Sequence, residues 1–430
     1  MQKWLIGLIY LAILLAFFPF DTSVYMQVGV AAVILLSLVW GLAQGRIRFR
    51  QVLNPYTVLM AILLLWSLLS IFWVVDRASW ITANGILFVT VVFAFALCYL
   101  LPLDGFRKQL SWFLVGIVVV HNLVAWYDLY RYMGSLTINI AELIETFQLS
   151  GGMTFFGNVN DFALLSLFGL IFVLSWQPFE GEVVSRVKKG LLVGFKGIFI
   201  LSSLLMIYFV HSRGILFAAF YAIIFYFILQ IRQGWLRRIT LGLILLAALM
   251  TVVLMYSEIM DALWSDGSFV VRLNLIRNGW QHLKASNYLG VGAGNTEYYM
   301  AHFNYHYTAG YNVMHNWWMG MLVEYGVPYF IVYALYHVRV FLTAFYWSVV
   351  YKSGIGKFVA TWLLAFIVAG FIPNTLFNFL WFWLIHNFVF VWFEYRAGDV
   401  RYEGKQVDLD FGLKERLNRV SEWLEARFVS

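Results

Sequence analysis

The sequence predicts an all-α polytopic membrane protein with about twelve transmembrane helices and one long extracytoplasmic loop bearing short helices. Composition is the first reason. Of 430 residues, 62% are hydrophobic and 12% are charged, whereas a soluble globular chain is about 45–50% apolar and about 25% charged. The second is recurrence: apolar runs near the roughly 20 residues needed to cross a hydrocarbon core appear along the whole chain. The third is that the connections between these runs alternate in charge. Together they exclude a soluble enzyme, a disordered chain and a secreted disulfide scaffold. The single cysteine, Cys98, sits inside an apolar run, so neither a disulfide framework nor a zinc cluster is possible.

Twelve apolar segments follow in order, at 4–20, 24–43, 56–75, 80–101, 110–130, 161–177, 191–210, 214–231, 238–257, 316–336, 357–372 and 376–395. The first has Lys3 ahead of its apolar stretch, as a signal peptide does, but no small-x-small cleavage site follows Phe17–Asp21, which predicts an uncleaved anchor. Residues 1–400 thus form a transmembrane domain with two long outer segments. One, 131–160, holds an amphipathic stretch at Ile140–Phe147 and then Gly151 and Gly152. The other, 258–314, lies between the ninth and tenth spans. There Leu273, Ile276, Trp280 and Leu283 recur at helical spacing, predicting a helix on the membrane surface. Residues 401–430 make a cytoplasmic tail. In it Leu413, Leu417, Val420, Leu424 and Phe428 share one face among basic residues, which suits either an anionic leaflet or the protein's own inner loops.

Charge sets the orientation. The connections on one side hold 23 of the 29 basic residues, against six on the other, while eleven acidic residues fall on each. The positive-inside rule puts the first side, with both termini, in the cytoplasm.

Arg213 lies in His211-Ser212-Arg213-Gly214, a link too short to carry its charge far from the bundle. It reads as a site residue or as a group snorkelling to headgroups. Arg272 and Arg277 flank the apolar face of the outer loop, where a solvated helix edge is the plain alternative. His315 opens the tenth span in Met314-His315-Asn316-Trp317-Trp318. The helix dipole favours its neutral form, the form a general base needs; an interfacial anchor is the alternative. His302 and His306 stand four apart without the acidic residue of an H-E-x-x-H motif, so no metal site is expected. Gly290–Asn295 lacks the Lys-Ser/Thr of a P-loop; Gly292 and Gly294 make either a tight turn or a backbone nest for an anion. Asn158, Asn160 and Asp161 precede the sixth span, where such residues cap helices or hold sugar hydroxyls. Glu324 falls on the face opposite His315 and is expected to hydrogen-bond another span.

In their order and spacing these pieces resemble the O-antigen ligase and O-antigen polymerase (Wzy-type) superfamily. The matching residues are Ser212-Arg213-Gly214 followed at once by a span, Arg272-x7-Trp280, Gly290-x-Gly292-x-Gly294, His315-Asn316 continuing to Glu324-x-Gly326, and Asn158-x-Asn160-Asp161-Phe162. The forms of Gly290–Asn295 and His315–Trp318 look most like the teichuronic-acid polymerase branch of Gram-positive bacteria. The resemblance implies a metal-independent GT-C-type glycosyltransferase that needs no cofactor and takes its glycan from undecaprenyl diphosphate. The acceptor would be another lipid-linked glycan for a polymerase, or lipid A–core for a ligase. Arg213, Arg272 and His315 would be catalytic. Arg277, Asn158, Asn160, Asp161, Asn316, Gly292 and Gly294 would contact substrate. A flippase and a chain-length regulator of the same pathway are the expected partners. The rival of a different class is a lipid-linked-oligosaccharide flippase or transporter, which gathers ionisable residues near the bilayer midplane; here they gather at the outer ends of spans.

Overall fold

The computed structural model describes residues 2–18, 23–103, 105–133, 158–178, 185–254, 267–372 and 379–399, with Ser265 and Arg419 as single positions. Among these residues the chain is all-helical. In chain order the helices are α1 (Gln2–Phe17), α2 (Ser23–Ala43), α3 (Phe49–Val52), α4 (Pro55–Leu69), α5 (Arg77–Leu100), α6 (Phe106–Met133), α7 (Val159–Ser175) and α8 (Arg186–Phe209). They continue with α9 (Arg213–Gln230), α10 (Gly234–Leu254), α11 (Gly267–Ala285), α12 (Thr296–His302), α13 (Trp317–Val350), α14 (Gly354–Ala369) and α15 (Leu380–Asp399). Each of the twelve apolar segments overlaps one of them. Among the described residues, seven helices are long and apolar enough to cross a membrane, and α1, α7 and α14 are apolar but shorter. The amphipathic stretch Ile140–Phe147 and the helix expected in the tail lie outside the described residues.

Local chemistry sets the helix ends. Pro55 starts α4 behind Asn54, whose side chain accepts from the Thr57 N–H. Asp76 accepts from Ala78 and Ser79 at the start of α5, and Ser353 caps α14 through Gly356. Each side-chain acceptor satisfies a backbone donor that the first helical turn leaves open.

Packing centres on α13 and α14. These two pair along their length, α14 also lies on α9 and α7, and α15 packs on α5. Trp317, Trp347, Trp362, Trp381 and Trp383 are fully buried between them. Large apolar side chains such as Leu36, Leu65, Ile198, Phe217 and Leu335 stay exposed on the flanks, as helices facing hydrocarbon require.

α13 runs 34 residues and is broken at Gly326. The apolar segment 316–336 is therefore only its first part. Arg339 lies beyond that segment but within α13, and pairs with Glu394 of α15 at 2.7 Å. The Tyr336 hydroxyl donates to the same carboxylate oxygen at 3.0 Å. Hydropathy misses this because Arg339 follows an apolar run and looks like its flank. Removing one partner of a buried pair strands the other charge, at a cost of roughly 3–5 kcal/mol. Glu394→Ala should therefore lower the unfolding midpoint in detergent sharply, and Arg339→Met with Glu394→Met should recover most of the loss. Single variants that melt with the wild type would remove the pair from the stabilising core.

Candidate functional site at the outer helix ends

α8 ends at Phe209, and the chain reverses into α9 within a few residues. His211 takes the left-handed conformation, φ +54°, and Ser212 is the N-cap residue of α9. The buried Ser212 hydroxyl donates to Asn160 Oδ1 at 2.9 Å, tying the turn to the start of α7. There Asn158 is an ordinary cap, accepting from the Asn160 N–H, while Asp161 is buried in the first turn. A Cβ on Gly214 would stand 3.0 Å from Ile372 Cγ1 and nearer still to its terminal carbon. Glycine at this place lets the chain beyond α14 seat against the turn. Arg213 is exposed at its rim.

His315 reaches the same place from α13. Asn316 caps that helix, accepting from the Met319 N–H at 3.1 Å, and the Trp317 N–H donates to the Gly370 carbonyl at 2.7 Å. His315 stands just before the cap with φ +49°. For a non-glycine residue this is a strained conformation, of the kind that persists where the surroundings over-determine it. The imidazole bonds the Ile372 backbone, and its buried Nδ1 has no hydrogen-bond partner. Burial first, then the Arg272 guanidinium, hold its pKa down at about 4 against the pull of the Ile372 bond. His315 is thus neutral at neutral pH, chiefly through desolvation. Arg272 is near enough to act on the charge of His315, and Ile372 joins His315 to the Ser212-Arg213-Gly214 turn.

α11 carries Arg272 and is held by contacts that sequence reasoning did not single out. The fully buried Asn278 side chain accepts from the Tyr305 and His306 N–H groups at 3.1 and 2.7 Å. It also donates to the His306 carbonyl at 2.9 Å, and Asn274 donates to the Tyr307 carbonyl at 2.9 Å. The two asparagines lie four apart on one helical face, the signal that could have found them. They fix the strand of chain leading to His315, whose ring meets Tyr311 at 5.8 Å. Arg277 is not part of this convergence: it is exposed and its guanidinium faces Asn274.

The glycine-rich stretch has a different partner from the one expected. In α13, Gly326 takes φ +76° and ψ 174°, and Pro328 follows. Proline lacks the N–H that would satisfy the Glu324 carbonyl; the Gly292 N–H takes that place at 3.0 Å. The Val291 N–H donates to the Val323 carbonyl at 2.8 Å, and the Val327 N–H to Tyr288 at 2.9 Å. Trp66 Nε1 donates to the Tyr325 carbonyl at 2.8 Å. Among the described residues Glu324 bonds this loop rather than another span: its Oε2 accepts from the Gly294 N–H at 3.0 Å. The backbone donors of Gly292 and Gly294 are thus committed to Glu324 and serve as a dock for the loop, rather than an open anion nest.

A Cβ on Gly290 would lie 2.5 Å from the Glu324 carbonyl oxygen and 2.6 Å from the Gly326 nitrogen. Gly290→Ala should therefore undock the loop, costing more than the roughly 1–3 kcal/mol of backbone strain alone. Gly310→Ala, also at positive φ but with nothing within 4 Å, should cost strain only. Thermal melting and limited proteolysis of 267–314 compare the two. Equal behaviour would mean that the dock contributes nothing.

Residues 198–334, which include Arg213, Arg272, His315 and Glu324, match the family model described as O-antigen ligase. Among curated proteins, the teichuronic acid biosynthesis protein TuaE of Bacillus subtilis (strain 168) is 26% identical over 249 residues, covering 53% of this chain and 49% of that protein. The chain thus spans about half the length of the curated relative it matches. These matches and the multi-pass helical fold bear out the resemblance to the O-antigen ligase and O-antigen polymerase superfamily.

Proposed function

We propose that the chain is a polymerase of a cell-surface polysaccharide. It takes a glycan from undecaprenyl diphosphate and transfers it to another lipid-linked repeat unit at the outer face of the bacterial cytoplasmic membrane. Both termini lie in the cytoplasm, as the charge asymmetry argues. The observation that carries this reading is that Arg272 acts electrostatically on His315, whose buried Nδ1 has no hydrogen-bond partner.

In the proposed reaction the acceptor hydroxyl oxygen attacks the anomeric carbon in one displacement. Its proton passes to His315 Nδ1. The bond from the anomeric carbon to the diphosphate oxygen breaks, and the electron pair leaves with the lipid diphosphate. Arg272 and Arg213 meet the charge that grows on that oxygen, through forked hydrogen bonds that suit phosphate. A base with a pKa of about 4 is weak, since catalytic bases work best near the operating pH. Donor binding offsets part of this: an anionic diphosphate beside Arg272 opposes the smaller, Arg272 share of the depression, so His315 gains some basicity when the donor is in place, while burial keeps its effect.

A ligase reading rests on the description of the matching family model. Purified protein with one lipid-linked substrate separates the two: a ladder of products means a polymerase, and dependence on a different acceptor means a ligase. In this assay Arg213→Lys keeps the charge but loses the fork. Transfer should fall clearly with lysine and further with alanine; wild-type rates in both would return Arg213 to a headgroup anchor.

The pH profile tests His315. Without donor, the site holds its base neutral down to about pH 4, so kcat/KM should stay flat well below the ordinary histidine range near 6.5. Arg272→Gln removes a positive neighbour and should move the acid limb upward. His315→Ala should lower the rate by about 10²–10⁴-fold and abolish the limb. Stability has the matching sign: the unfolded chain binds the proton first, so this residue's contribution is complete above about pH 6.5 and is lost on acidification towards 4. An acid limb that stays put in His315→Ala would assign the base elsewhere.

A further inference from the structure

At the end of the bundle opposite His315, four elements meet around a second opening. They are the start of α6, the end of α7, the link between α13 and α14, and the end of α15. The cavity between them holds about 470 Å³, within the roughly 300–1,000 Å³ of small-ligand sites. Arg107, Lys108, Lys352 and Arg396 line it, with Gln177 and Ser353 between them. Among the described lining residues there is no carboxylate.

The cations are built into the fold. The Arg107 guanidinium lies 5.0 Å from the centre of the Tyr395 ring, which fixes its direction. Lys352 occupies the tight link with φ +58°. Ser353 next to it donates its N–H to the Trp347 carbonyl at 3.2 Å and caps α14. Two helix N-termini, those of α6 and α14, add their partial positive charge to the same space. Burial first, then Arg237 and Arg232 outside the cavity, push the Lys352 ammonium down from its ordinary value. Phe172, Trp176, Phe358 and Trp392 form apolar walls beside this charge.

We propose that this cavity binds a phosphate-bearing anion, and that the apolar walls fit it to the headgroup of an anionic phospholipid in the leaflet at that end. Concentrated positive charge beside apolar surface at a membrane boundary suits a group that is anionic at one end and hydrocarbon at the other. The proposal does not depend on the transferase reading.

The test uses the full chain purified in a neutral detergent. Short-chain phosphatidylglycerol, short-chain phosphatidylcholine and inorganic phosphate are titrated while the unfolding midpoint and bound lipid are followed. Phosphatidylglycerol should give a saturable rise that phosphatidylcholine does not. Arg107→Gln with Lys352→Gln should weaken it by roughly tenfold or more, the scale of a lost charge-assisted hydrogen bond. Inorganic phosphate should compete in the wild type, a measurement that needs no variant to fold. Competition at similar affinity identifies a soluble phosphate as the ligand, and weaker competition identifies the lipid. Equal responses to the two lipids, no competition by phosphate, or unchanged binding in a folded double variant would each overturn the proposal.

Discussion

The arrangement of the site depends on how one broken helix satisfies its backbone. A helix interrupted inside a membrane protein leaves carbonyl and N–H groups that hydrocarbon cannot solvate. In α13 the break at Gly326 and Pro328 frees the carbonyls of Val323 and Glu324 and the N–H of Val327. The glycine-rich loop supplies a partner for each, and the Glu324 carboxylate takes one more N–H from Gly294. The break and the loop are therefore two halves of one structure. Trp73 Nε1 bonds the Gly290 carbonyl, and Asn295 accepts from the Val75 and Asp76 N–H groups, so the same loop is also fastened to the link between α4 and α5.

This dock carries consequences along the chain in both directions. Upstream it fastens the end of α11, the helix that carries Arg272. Downstream, Asn274 and Asn278 of α11 hold the segment that delivers His315. The guanidinium and the imidazole thus approach each other because both ends of one loop are pinned to the same helix pair. The third participant, the Ser212-Arg213-Gly214 turn, comes from elsewhere in the chain and is matched to them through Ile372, which bonds His315 and fills the space left by the missing Gly214 side chain.

Much of this was legible in the sequence, and the limits have physical causes. Apolar length and alternating charge locate a helix at every expected segment, because lipid exposure leaves a composition signal. Arg213 and His315 stand out because charge at the outer helix ends is uncommon and each lies at a constrained backbone, whereas Arg272, inside α11, stands out only in company with them. Hydropathy cannot tell a charged residue that ends a span from one buried inside it, so it does not reveal the Arg339–Glu394 pair. Periodicity assumes an unbroken helix, so Glu324 was assigned a partner in another span instead of the loop filling the break. Asn278 and Ile372 carry no charge and belong to no motif; their importance lies in pairings distant in the chain.

A cation beside a histidine opposes base catalysis, since it lowers the proton affinity on which the proposed reaction relies. The arrangement becomes coherent once the donor's charge is included. Burial, and then Arg272, keep the imidazole neutral and weakly basic, so an acceptor hydroxyl that enters without donor would meet little driving force for deprotonation. In the proposed reaction the donor diphosphate would offset the Arg272 share of that depression, so the base would strengthen once the donor is bound. On this account, Arg272 serves two steps with one charge: it holds His315 in reserve before the donor binds, and it stabilises the departing diphosphate after the bond breaks. A lysine could provide the charge, but the planar fork lets an arginine bond phosphate oxygens while still facing the imidazole, which is the geometric reason to expect arginine at this position.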